Sequence, residues 1–152
     1  MSELSETTPW GTRGVRRTFA AADVAAQTDK VMHELPCFWP ASWVEARENY
    51  SIVDNDGNVS LLEYVSPGVY HPHLYFSARG REAVSVAKEM LTWIFNMTPA
   101  EVLLGETPIL AKGAWWVVRQ LGFEPMGLAA SEWGPIRLSR MTKERFLTLT
   151  NQ

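Results

Sequence analysis

Apolar positions recur along this chain with two different periods, and the changes of period mark out its elements. Val15 to Phe19 has the length and make-up of a short strand. From Ala20 to Leu35, the residues Val24, Gln27, Val31 and Leu35 share one face of a helix that Pro36 closes. Cys37 to Trp43 is an aromatic loop bounded by prolines, and Ser42 with Glu45 has the spacing of a capping box for a short helix through Glu48. Strand-forming runs then take over at Tyr50–Val53, Val59–Val65 and Val69–Ser77. The first pair is joined by an Asp-Gly hairpin signal and the second by Ser66-Pro67-Gly68. From Arg81 to Asn96, Ala83, Ala87, Met90, Leu91 and Ile94 repeat at three, four and seven, which predicts an amphipathic helix. Glu101–Gly105 predicts a buried strand. Thr107 as N-cap and Pro108 in the first turn predict a helix that Gly122 ends. Phe123–Leu128 and Pro135–Leu138 predict closing strands.

The outer segments lack this patterning. Residues 1–14 read as an arm, 15–140 as one domain, and 141–152 as a C-terminal tail. Helices interspersed with a three-strand meander and later strands place the domain in the α/β or α+β class, around a mixed sheet. With 152 residues, of which 46% are apolar, the chain buries enough surface to fold without metal or disulfide.

Charge and cysteine content narrow the function classes. Fourteen basic against seventeen acidic residues leave a net charge of −3, which argues against a nucleic-acid binder with a basic footprint. A single cysteine, Cys37, excludes an internal disulfide framework and a multi-cysteine zinc site. Its surroundings predict a buried, inert thiol. The acidic, hydroxyl-rich start lacks signal-peptide features, and no apolar run approaches the roughly 20 residues of a membrane span. A soluble protein of a reducing compartment is expected.

Candidate chemistry centres on Glu63 and on His71 and His73. Glu63 shares a strand face with Leu61 and Val65, and a carboxylate among apolar neighbours is suited to act as a general base toward an amine. His71 and His73 share a face with Tyr75 and offer two metal ligands, but no third is evident nearby, so no metal site is expected. His73 is a second catalytic candidate. Tryptophan is heavily used, with seven in the chain. Trp93 and one of Trp115 and Trp116 fit a core. The adjacent pair point about 100° apart on a helix and cannot both face it. Trp10 in the arm, Trp39 and Trp43 beside the proline-rich loop, and the basic Arg16 and Arg17 are candidate contacts with a protein partner.

The order of elements, together with Leu74-Tyr75-Phe76-Ser77-Ala78-Arg79-Gly80-Arg81 and Arg119-Gln120-Leu121-Gly122-Phe123, resembles the GNAT acyltransferase superfamily. Glu63-Tyr64, Pro67-Gly68-Val69-Tyr70, Ala78-Arg79-Gly80 and Glu82-Ala83 resemble a phage-encoded branch, often labelled head-assembly or unknown-function proteins. The resemblance implies a mixed, mostly antiparallel sheet flanked by helices. It also implies an acetyl-CoA site at Phe76, Ser77, Arg79, Gly80 and Arg81, with the pyrophosphate at the start of the following helix. The chain departs from the family at Glu82 and Val84, where glycine or alanine is usual. It departs again at Ala111, Val118 and Gln120, where active relatives carry Asn, a thiolate-protonating Tyr and Lys.

Two functions are therefore expected. One is a GNAT-fold protein with eroded motifs, needing no cofactor and acting as a virion, head-assembly or other protein-binding component. Its partner would be a phage structural protein or a second copy of the chain. The other is an active acetyl-CoA-dependent N-acetyltransferase on an amine, with Glu63 as base. Either would work in the cytoplasm of a bacterial host, the first also within a virion, with no membrane or nucleic-acid partner.

Overall fold

The computed structural model describes residues 13–28, 40–132 and 134–150. Trp10, Cys37, Trp39 and Trp133 lie outside the described residues, as does the second half of the helix expected to reach Leu35. In chain order the elements are β1 (Arg16–Thr18), α1 (Ala21–Thr28), α2 (Ala41–Glu45), β2 (Tyr50–Val53), β3 (Asn58–Ser66), β4 (Val69–Phe76) and α3 (Gly80–Met97). They continue with β5 (Val102–Pro108), α4 (Lys112–Leu121), β6 (Glu124–Ser131), β7 (Gly134–Thr142) and α5 (Lys143–Thr150).

The strands form one seven-stranded sheet in the order β1-β2-β3-β4-β5-β7-β6. Every neighbouring pair is antiparallel except β4 and β5, which α3 connects in parallel. A parallel neighbour needs such a crossover, because a short turn cannot return the chain to the same end of the sheet. The expected mixed, mostly antiparallel sheet with flanking helices is what the chain forms.

Alternation along the strands divides the apolar residues between two faces. On one face Leu62, Tyr70, Leu103 and Met141 pack with Met90, Ile94 and Phe95 of α3. On the other, Val53, Val59 and Leu61 pack with Val24 of α1 and Val44 of α2. The meander is anchored at its first turn, where Asp54 Oδ1 accepts from the backbone N–H groups of Asp56 (2.8 Å) and Asn58 (3.0 Å). Gln27 of α1 accepts from the Gly57 N–H in the same turn at 3.0 Å.

Four local expectations change. Thr107 and Pro108 do not open a helix; they end β5, whose ladder with β7 runs on to Pro108 opposite Ile136. The long-range pairing overrides the capping signal, and α4 starts at Lys112 after Ala111 as N-cap. Ser42 lies inside α2, which Pro40 precedes and which ends at Glu45, so no capping box forms. β6 and β7 are longer than their apolar cores, since pairing extends across Ser131 and Gly134. Residues from Met141 onward, expected as a tail, finish β7 and form α5, whose Phe146 is buried with its ring 5.3 Å from that of Phe95.

Other expectations stand. Gly122 ends α4 in the left-handed conformation at φ 92°, and a Cβ there would lie 2.5 Å from Leu149 Cδ1. Trp93 is buried, while Trp116 is exposed and its neighbour Trp115 lies under the Arg137 guanidinium.

Candidate functional site

The site begins with a one-residue irregularity. Ser66 pairs with Val69 around the Pro67-Gly68 turn, but Tyr64 pairs with Tyr70, so Val65 is an extra residue in β3. Proline followed by a glycine at φ 78° suits a turn whose twist matches the flanking strands poorly, and a bulge relieves that mismatch. Its consequence reaches along the ladder. With the bulge, Glu63 lies opposite His71; without it, Glu63 would pair with Pro72 and share the helix-packed face of Leu62's partner strand.

On the face away from α3, Glu63 Oε1 lies 3.5 Å from His73 Nε2 and 3.8 Å from His71 Nδ1. The two imidazole rings are 4.4 Å apart between centroids. Glu106 of β5 completes the group, its Oε2 3.7 Å from His71 Nε2. Both histidines are half-buried and both carboxylates more open. Burial holds His73 below the ordinary imidazole pKa, and the neighbouring His71 adds to this; Glu63 as a hydrogen-bond acceptor and the Glu63 and Glu106 charges oppose it. Two acids beside two imidazoles give the site a negative bias that favours cations.

Glu106 reaches the histidines across a divergence of the sheet. β4 and β5 pair only at Val69 with Val102 and Tyr70 with Leu103. Beyond that, β4 stays with β3 as far as Phe76 and β5 stays with β7 as far as Pro108, so the two strands part company. Pro72, with no N–H to contribute, is tolerated in an interior strand where the ladder to β5 has ended. The backbone edges of the two strands then face a wedge.

Beneath β4, on the α3 side, the wedge is backed by an apolar slot lined by Leu74, Phe76, Met90, Leu91 and Phe123. Its enclosed volume is about 20 Å³, room for roughly one water. Ser60 also lines it, and among the described residues its buried hydroxyl has no hydrogen-bond partner.

At the far end of β4, α3 starts with no side chain capping its first amides. Gly80 has φ 58°, and a Cβ added there would meet nothing within 4 Å. The connection is fixed from the meander: Ser77 N–H donates to Gly57 O (3.1 Å) and Ala78 N–H to Asn58 Oδ1 (3.2 Å). Arg79 turns its guanidinium back onto the carbonyls of Phe76 and Ala78, and Arg81 is exposed. The carboxylate of Glu82, one of the departures from the family pattern, is drawn toward Arg13 at 3.5 Å, which also holds Glu89 at 3.2 Å and Asp56 at 3.9 Å.

Comparison with known proteins bears on the fold. No protein-family model and no curated protein sequence matches the chain. Solved structures do match. A mutant form of the spermidine N-acetyltransferase from Vibrio cholerae superposes with a TM-score of 0.71 at 10% identity, over 90% of this chain and 98% of that one. A ribosomal-protein-S5-alanine acetyltransferase from Vibrio fischeri gives 0.65 at 11%, over 90% and 96%. A GCN5-related N-acetyltransferase from Brucella melitensis gives 0.67 at 12%, over 99% and 85%. The fold is the GNAT fold. At 10–12% identity these neighbours show the fold alone, and none of them supports the phage branch.

Within the GNAT fold the expected residues sort cleanly. Glu63, His71 and His73 are brought together, and Glu106, which the sequence did not single out, joins them. No periodicity points to Glu106. Phe76, Ser77, Arg79, Gly80 and Arg81 do lie at the end of β4 and the start of α3. The expected partner contacts Arg16 and Arg17 are committed internally. Arg17 is buried between the Phe19 and Tyr50 rings and donates to the carbonyls of Arg47 (3.0 Å) and Asn49 (2.8 Å). Arg16 holds Asn55 (2.8 Å) and Asp23 (3.3 Å). Trp43 is half-buried against the core under α1 and α2. Ala111 and Val118 bear no group able to donate a proton, and Val118 packs on the core.

Proposed function

We propose that this chain is an acyl-CoA-dependent N-acyltransferase acting on a cationic amine. The observation that carries the reading is the carboxylate–imidazole cluster at the mouth of the wedge between β4 and β5. Acetyl-CoA, the cosubstrate of GNAT acetyltransferases, supplies an acyl group activated as a thioester. Uncapped amides of Gly80, Arg81 and Glu82, with Arg81 beside them, suit its pyrophosphate, because a helix start offers free N–H donors and the positive end of a dipole. The open space at Gly80 lets an anion approach the backbone. Bare strand edges along the wedge suit the amides of an extended arm, much as an added strand would be held. Ser60 offers one hydroxyl in the slot, although at its present width the slot must widen to admit more than a water.

Glu63 and Glu106 attract an ammonium group, and Glu63 with His73 accepts the proton that the amine nitrogen must lose before it attacks. The new C–N bond replaces the C–S bond; of the two protons the ammonium nitrogen loses in becoming an amide, one leaves to solvent and the other balances the thiolate. With Val118 in the tyrosine position, the cluster or water must return that proton.

A second reading, a protein-binding component of an assembly, including a phage head or a homo-oligomer, is supported by a different region. Met126 and Leu128 are exposed on β6, an edge strand with a free ladder side among the described residues. Calorimetric titration with acetyl-CoA, followed by thiol release with a panel of primary amines, separates the two. Micromolar binding weakened by Arg81→Glu supports the enzyme; no heat at millimolar acetyl-CoA leaves the binding role.

A further inference from the structure

We propose that Glu63, His71 and His73 form a site for a divalent transition-metal ion of the zinc type, with Glu106 orienting His71 from behind. One ligand atom from each of the three residues lies within 4.8 Å of the others. A tetrahedral zinc with N and O donors at about 2.0–2.2 Å holds those donors roughly 3.3–3.6 Å apart. Glu63 Oε1 is already 3.5 Å from His73 Nε2 and 3.8 Å from His71 Nδ1. Side-chain adjustment of a few tenths of an ångström is all that the shorter contacts require.

The backbone makes this spacing rigid. Glu63 and His71 are cross-strand partners, and His73 is two residues further along the same face. The bulge at Val65 sets that register. His71 also has its second nitrogen turned toward a carboxylate, as a metal-bound imidazole commonly has. With Nδ1 toward Glu63, its Nε2 faces Glu106 Oε2 at 3.7 Å, and a carboxylate there fixes ring orientation and strengthens the ligand.

A plain ion-pair network accounts for the cluster less well. Among the described residues neither Glu63 nor Glu106 has a Lys or Arg ion-pair partner; their partners are the two histidines. The two imidazole rings lie 4.4 Å apart between the two acids, an arrangement in which one divalent ion can be held by both rings and Glu63 with Glu106 behind. Two nitrogens and one carboxylate oxygen, with no thiolate, select a borderline ion and leave a coordination position open. Since the ligands include Glu63 and His73, an ion here would displace their role as proton acceptor and inhibit acyl transfer. The site itself does not depend on that activity.

The test is titration of the full chain with Co²⁺ at about pH 7.5, since protons compete with a metal for such ligands at low pH, followed by visible absorption and displacement with Zn²⁺. One ion per chain with the intense bands of four- or five-coordinate cobalt is expected. Glu63→Gln and His73→Asn should weaken binding by more than about 100-fold, and Glu106→Gln by about 10- to 100-fold. Circular dichroism checks that each variant is folded, and His71→Gln substitutes for any that is not. No cobalt spectrum at millimolar ion, or variants that bind like the parent, overturns the proposal. The readout uses neither acyl-CoA nor amine, so its failure is distinct from failure of the acyltransferase reading.

Discussion

Leu62, Tyr70 and Leu103 occupy one face of the central strands; Glu63, His71 and Glu106 occupy the other. Leu62 and Glu63 are adjacent in sequence, as are Tyr70 and His71. Yet the first set is sealed against α3 and α5, and the second is left half-open with polar side chains a few ångströms apart. The apolar face is held by many weak contacts and tolerates little loss of volume. The other face is packed at one end, where Val59 and Leu61 meet α1 and α2, and only its Glu63–His71–Glu106 end contributes little packing. At these neighbouring positions packing and chemistry thus lie on opposite sides of the strands, so each can be perturbed separately.

The sharpest way to break this division is Phe95→Ala. Phe95 is among the largest fully buried side chains and touches the α5 ring, so its loss should cost about 3–5 kcal/mol in urea denaturation. A loss below about 1 kcal/mol would mean that the helix face is not the main source of stability. Glu63→Gln should do the reverse. Acyl transfer at saturating amine should fall about 100-fold, the scale of one lost general base, while the unfolding midpoint hardly moves. Retained activity would remove Glu63 from the reaction.

Gly122→Ala comes next. It forces a Cβ into a left-handed turn and against Leu149, and should cost about 1–2 kcal/mol without altering acetyl-CoA affinity. The smallest effect is expected for His71→Asn, within about 0.5 kcal/mol of the parent in thermal or chemical unfolding. A larger loss would show that the polar face carries packing after all.

Much of the architecture could be read from local patterns because those patterns have local causes. The helical stripe from Ala83 to Ile94 and the left-handed stop at Gly122 depend on residues within a few turns. So does the shared face of His71 and His73, which follows from strand geometry alone. The strand at Val102–Pro108 runs past the end its local pattern predicts: Thr107-Pro108 carries a helix-start signal, and β7 overrides that signal through seven paired residues. Arg17 reads as a surface cation, but Phe19, Tyr50 and two carbonyls enclose it. A local pattern does not show which distant groups will satisfy such a guanidinium. Met141 to Thr150 lacks a strong stripe of its own, and only docking of Phe146 onto Phe95 makes it part of the core.

By itself, then, the sequence determined the alternation of strands and helices, the face shared by the two histidines, and the likeness to the acyltransferase fold. Tertiary structure decided what those histidines face. The bulge at Val65 turns Glu63 toward them, and the parting of β4 from β5 brings Glu106 across. Both are matters of register between strands. Register is a sum over many pairings and one irregular turn, so no single residue in the chain announces it.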